Sequence, residues 1–175
     1  GILAHHRGLP VEHFIAACNV NDVVPEYLRT EILKPKETVA TISNAMDVGD
    51  PSNFVRILEL FDKEFNQVKN KLSGYTIDDD ETLKTIKRVE KYYGYVLDPH
   101  GAVAFVALEK YLTENDGKGF FLETAHPVKF PDSVEQATGK SVEIPKSLEE
   151  LMKQEKFTTE INPQYEELKE FLLKK

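Results

Sequence analysis

"VEHFIAACNVND", residues 11–22, decides the fold class. "VEHFIAAC", residues 11–18, is a short apolar run of strand length with Val, Phe and Ile, closed by Asn19, Asn21 and Asp22. Such a run predicts a buried strand of a parallel sheet. Upstream, "GILAHHRGLP" (residues 1–10) reads as the tail of a helix that stops at Gly8, with Pro10 just beyond. Downstream, Val23, Val24 and Leu28 suggest a short helix that Asn19, Asn21 or Asp22 would cap. Helix, strand, polar loop and helix in that order predict an α/β domain. In an open α/β sheet, ligands bind beyond the carboxyl ends of the strands, so Asn19, Asn21 and Asp22 are pocket candidates as well as caps.

The rest of the chain continues the pattern. "KETVATIS" (36–43) is β-branched and expected to be extended. From Phe54, the apolar residues Phe54, Ile57, Leu58, Phe61, Phe65, Val68 and Leu72 recur at spacings of three and four. That period predicts one helix of about five turns, started by Asp50 and Pro51 or by Ser52. Asp78, Asp79 and Asp80 precede "ETLKTIKRVEKYYG" and read as a capped helix start rather than a metal site. "YVL" (95–97) predicts a minimal strand, and Asp98 with Pro99 an N-cap and first-turn proline for a helix through "AVAFVALEKYL". "GFFLETA" (119–125) predicts another buried strand, with His126 and Pro127 just past its end. The remainder reads as short helices broken at Gly139, Pro145 and Pro163.

Composition excludes several classes of function. The 175 residues, 41% hydrophobic and 30% charged, suit a soluble globular domain. A net charge of -8, without any block of Lys or Arg, argues against nucleic acid as a partner. The single cysteine, Cys18, cannot form an internal disulfide and reads as a packed thiol of a cytoplasmic protein. No apolar run approaches the ~18 residues of a membrane span. His5, His6 and His13 lack carboxylates at ligand spacing, so no metal site is expected. The chain holds no phosphate-binding P-loop, no GxGxxG and no GxSxG elbow. His100, in the first turn of a helix, is either a general base or a locally bonded residue.

Four longer strings go further: "GLPVEHFIAACNVNDVVPEYL", "TISNAMDVGDPSNFVRILEL", "GYVLDPHGAVAF" and "ETAHPVKFPDSV". In that order they closely resemble segments of the threonine synthase family. The resemblance implies a partial tryptophan synthase β-like domain (fold type II), a three-layer α/β arrangement of parallel-type strands with flanking helices. Residues 1–135 would be the C-terminal part of the catalytic domain, and 136–175 a variable helical end.

The family's reaction converts O-phosphohomoserine and water into threonine and phosphate, with pyridoxal phosphate as electron sink. The lysine that carries the cofactor and the phosphate-binding loop belong to the family's first half, which is not in this chain. No catalytic residue is therefore assigned, and neither Lys34, Lys36 nor Lys110 stands in a matching context. The missing N-terminal half is an expected partner, and the segment alone is expected to be inactive. Thr124 matches the hydroxyl that meets the pyridine nitrogen, and Asn44 is the second cofactor-binding candidate. Asn19, Asn21, Asp22, Ser43, Asp47 and His126 match segments that face substrate or pocket. Arg56 is either an anion contact or a solvated residue. The rival readings are a serine/threonine dehydratase, or another enzyme of the same fold, and a non-catalytic ligand-binding or interaction domain.

Overall fold

The computed structural model describes residues 1–174. It contains two compact units, Gly1–Val142 and Glu143–Lys175. In the first, helix α1 (Ile2–His6) closes at Gly8, which takes a φ of 96°. Strand β1 (Phe14–Cys18) follows and pairs in parallel with β2 (Leu72–Thr76), Phe14 lying opposite Leu72 and Cys18 opposite Thr76. Between them run α2 (Val23–Thr30), α3 (Phe54–Leu60) and α4 (Phe65–Lys71). After β2 come α5 (Asp79–Tyr93), α6 (Pro99–Glu114) and α7 (Pro131–Thr138). The second unit holds α8 (Lys146–Met152) and α9 (Tyr165–Leu173).

Alternation along the two strands builds three layers. Phe14, Ala16 and Leu72 join the core of Tyr27, Leu28, Phe54, Phe61 and Val68, which belongs to the α2–α4 side. Ile15, Ala17 and Tyr75 face Val103, Val106 and Ala107 of α6 on the other side. Gly74 permits the close contact of the first layer, since a Cβ there would lie 2.7 Å from Pro25 Cα. Farther out, Ile86 and Val89 of α5 pack with Leu97, Ala102 and Ala137.

Several local expectations are corrected. The five-turn helix over 54–72 is two helices, because Asp62 and Lys63 adopt left-handed φ angles of 52° and 60°. Lys63 N–H closes the first helix by donating to Leu58 O at 2.8 Å. Leu72, read as the helix end, begins β2, a strand the periodicity conceals. α3 starts at Phe54 with Asn53 before it and no side-chain cap, so Asp50 and Ser52 do not initiate it. Residues 36–43, 95–97 and 119–125 form no strand. A strand exists through the hydrogen bonds of a neighbour, and none pairs with these segments among the described residues. Phe120 and Leu122 are 71% and 70% exposed, while Phe121 turns inward onto Phe105, ring centroids 5.5 Å apart.

Candidate functional site

The polar loop after β1 and the 38–47 loop after α2 gather at the carboxyl end of β1. Asn19, buried directly after β1, donates through Nδ2 to Asp47 Oδ1 at 2.8 Å, Thr41 Oγ1 at 2.8 Å and Ser43 Oγ at 3.1 Å. Its Oδ1 accepts from the Asn21 backbone amide at 2.9 Å. Asn21 Nδ2 donates to Val39 O at 2.8 Å, and Val39 N–H donates to Asn21 Oδ1 at 2.8 Å. That reciprocal pair is what a neighbouring strand would provide. Asp47 also accepts from Thr41 Oγ1 at 2.7 Å and from Thr41 N at 2.9 Å.

Asn19, Asn21, Ser43 and Asp47 are thus one cluster, completed by Thr41, which sequence reading passed over. Burial makes each unpaired polar atom costly, so the cluster clasps the 38–47 loop to the end of β1. Asp22 stands apart. It forms an ion pair with Lys36 and accepts from Thr76 Oγ1 at 2.8 Å. Burial acts against its charge, but the bonds from Lys36 and Thr76 hold its carboxyl below the usual range.

Asn44 opens a short 3₁₀ turn, Asn44–Met46, and is exposed. The turn is tied to α6 by His100, whose Nε2 accepts from Ala45 N–H at 3.1 Å. The other ring nitrogen, Nδ1, lies 2.7 Å from Asp98 Oδ1. These two bonds define the Nδ1–H tautomer and commit both ring nitrogens, so His100 reads as a tether rather than a free general base. Asp98 is the N-cap expected from the sequence, its Oδ1 accepting from His100 N–H at 2.9 Å. Its own amide donates to Glu123 Oε1 at 3.2 Å. Glu123 was hidden within the apolar string 119–125, and only its inward placement marks it.

Thr124 follows Glu123 and is exposed. His126, also exposed, accepts from Val128 N–H through Nδ1 at 3.2 Å, which caps the 3₁₀ turn Pro127–Lys129. Arg56 is exposed on α3. Lys36 is engaged by Asp22 and Glu26, and Lys110 pairs with Glu81 at 2.9 Å. Burial raises the Cys18 thiol to about 11, which disfavours the nucleophilic thiolate. Asp78 caps α5 by accepting from Glu81 N–H at 2.8 Å. Among the described residues no group of three or more His, Cys, Asp or Glu is placed to hold a metal ion. No described helix is long and apolar enough to cross a membrane.

Helices on both faces of parallel strands, with polar loops gathered at a strand's carboxyl end, define the chain as part of an α/β domain of the kind that binds ligands at its strand ends. By sequence and by fold it is similar to the threonine synthases. Residues 101–172 match the family described as threonine synthase, C-terminal. Threonine synthase of Escherichia coli is 49% identical over 151 residues, 86% of this chain and 34% of the relative. That of Buchnera aphidicola subsp. Baizongia pistaciae is 41% identical over all of this chain and 40% of its own length. The solved threonine synthase of E. coli superposes with a TM-score of 0.88 at 41% identity, over 99% of this chain and 40% of that one. A pyridoxal phosphate-bound threonine synthase from Brucella melitensis gives 0.79 at 27% identity, over 98% and 43%. The chain therefore spans between 34% and 43% of the length of these relatives.

Proposed function

We propose that this chain forms the C-terminal part of a pyridoxal phosphate-dependent threonine synthase, which converts O-phosphohomoserine and water into threonine and phosphate. The similarity along the whole chain carries this reading. The residues present fit the cofactor: an exposed neutral hydroxyl, Thr124, follows an inward-turned acid at the end of a segment beside α6. When bound, the cofactor supplies an electron sink for substrate carbanion chemistry.

Thr124 Oγ1 is proposed to hydrogen-bond the pyridine nitrogen. A neutral hydroxyl, unlike a carboxylate, does not oblige that nitrogen to carry a proton. Asn44, exposed on a turn anchored through Ala45, has an amide free to orient cofactor or substrate. His126 accepts through Nδ1, and its exposed Nε2 is proposed to face the substrate. Asn19, Asn21, Ser43 and Asp47 spend their polar atoms on one another, so their proposed task is to hold the Asn44 turn in place. Asp22 holds Lys36 and the end of β2. The cofactor-bearing lysine and the phosphate-binding loop are proposed to come from the remainder of the parent protein.

The test is an assay of the full-length protein with O-phosphohomoserine, following both phosphate and threonine. Failure of both to form defeats the proposal, and turnover of unphosphorylated serine or threonine instead would favour a dehydratase. In the same protein, Thr124→Ala should lower kcat by about 100-fold or more with the melting temperature unchanged, as expected for a lost contact to the reacting system. Unchanged turnover would remove Thr124 from the site.

A further inference from the structure

Two buried side-chain oxygens lack a hydrogen-bond partner among the described residues, Asp98 Oδ2 and Glu123 Oε2. They belong to carboxyls already joined by the Asp98 amide, which donates to Glu123 Oε1 at 3.2 Å. Gly101, in the first turn of α6, leaves the space that Glu123 fills. A Cβ there would lie 2.1 Å from Glu123 Oε2 and 2.6 Å from its Cδ. Asp98 is fully buried. Two ionised carboxylates in this position would repel each other and leave two acceptors without a donor, whereas one proton between them provides the missing donor.

We propose that Asp98 and Glu123 share one proton, and that this pair, through His100 on the Ala45 amide, positions the Asn44–Met46 turn and Thr124 relative to each other. Glu123 would be a positioning residue, acting through the Asp98 amide and the backbone that carries Thr124. Its inward carboxyl fixes the backbone from which Thr124 projects, while Asp98 orients the ring that holds the turn. The electrostatics agree with the geometry. Burial and then hydrogen bonding to Asp98 push the Glu123 carboxyl up to about 7. Burial opposes the charge of Asp98, but hydrogen bonds from His100 and Glu123 outweigh it and hold Asp98 below its ordinary range. The titratable groups facing the pair are His100 from α6 and Tyr95 from the α5–α6 loop. The Tyr95 phenol is raised by burial and by the charges of Glu123 and Asp98.

The positioning part rests on the proposed function, whereas the shared proton does not, and the experiment separates them. In the full-length protein, difference infrared spectroscopy with carboxyl-labelled glutamate should show a protonated carboxyl at about pH 6, above the ordinary glutamate range. The band should vanish in Glu123→Gln and as pH rises through neutrality. Its absence from the unsubstituted protein, or its persistence in that variant, overturns the shared proton. The amide of Glu123→Gln donates and accepts where the protonated acid does. Pyridoxal phosphate affinity should therefore stay within about twofold in Glu123→Gln and fall about tenfold in Glu123→Ala. Equal affinity in both variants overturns the positioning role. If the band titrates as expected while pyridoxal phosphate binds to none of the proteins, the shared proton stands, and the positioning role fails together with the proposed function.

Discussion

Asn21 substitutes for a strand, giving Val39 both a donor and an acceptor. The exchange requires the short, branched amide of asparagine; aspartate would lack the donor and alanine both groups. Asn19 is similarly placed, with Asp47 and two hydroxyls depending on its amide. Asn19→Ala should destabilise the protein by about 1–3 kcal/mol, since it strands buried partners. Chemical denaturation measures this, and a loss below experimental error would assign the cluster to ligand binding instead of to the loop. These asparagines were legible as important from their place after a strand. Their partners were not, because Thr41 and Asp47 are more than 20 residues away and nothing local records that the 38–47 loop folds back.

Among the elements, those whose reading depends on short-range rules are recovered. α5 has its acidic first turn, its Asp78 cap and Gly94 in the left-handed conformation at its end. α6 has Asp98 and Pro99 where a cap and a first-turn proline belong. The segment 54–72 fails for a definite reason. Its apolar residues keep helical spacing across a break, because α3 and α4 present the same face to one core, Phe54 and Val68 both contributing to it. Periodicity reports the buried face and is silent on whether the backbone between two turns is continuous. The second core, around α5, carries its own prediction. Ile86 is fully buried against Val89, Leu97 and Ala102. Ile86→Ala should cost about 2–5 kcal/mol through lost burial and an unfilled cavity. Equilibrium unfolding tests it, and a cost under about 1 kcal/mol would mean that α5 and α7 close the gap.

For the molecule as a whole, the Asp98–Glu123 pair links stability to pH. Unfolded, Glu123 releases its proton near the ordinary glutamate range; folded, it keeps it up to about 7. Between those limits the folded chain binds more protons, so the Glu123 contribution to stability falls as pH rises and levels off above about 7. Asp98 acts in the opposite sense. Its folded value is depressed, so its contribution is present above the ordinary aspartate range and is lost in acid. Melting curves should show Glu123→Gln gaining on the unsubstituted protein by on the order of a few degrees between mildly acidic and mildly alkaline pH. Parallel curves would rule out the linkage.

The sequence by itself determined the α/β class, the capped ends of α5 and α6, the polar loop after β1 and the relationship to threonine synthases. Each is written in neighbouring residues or in strings long enough to be specific. Only the tertiary structure decided that β2 begins at Leu72, that 119–125 lies unpaired beside α6, and that Glu123 reaches the cap of that helix. Strand pairing and the sharing of a proton belong to two distant stretches at once. Their energies come from desolvation and hydrogen-bond partners that only the folded chain brings together.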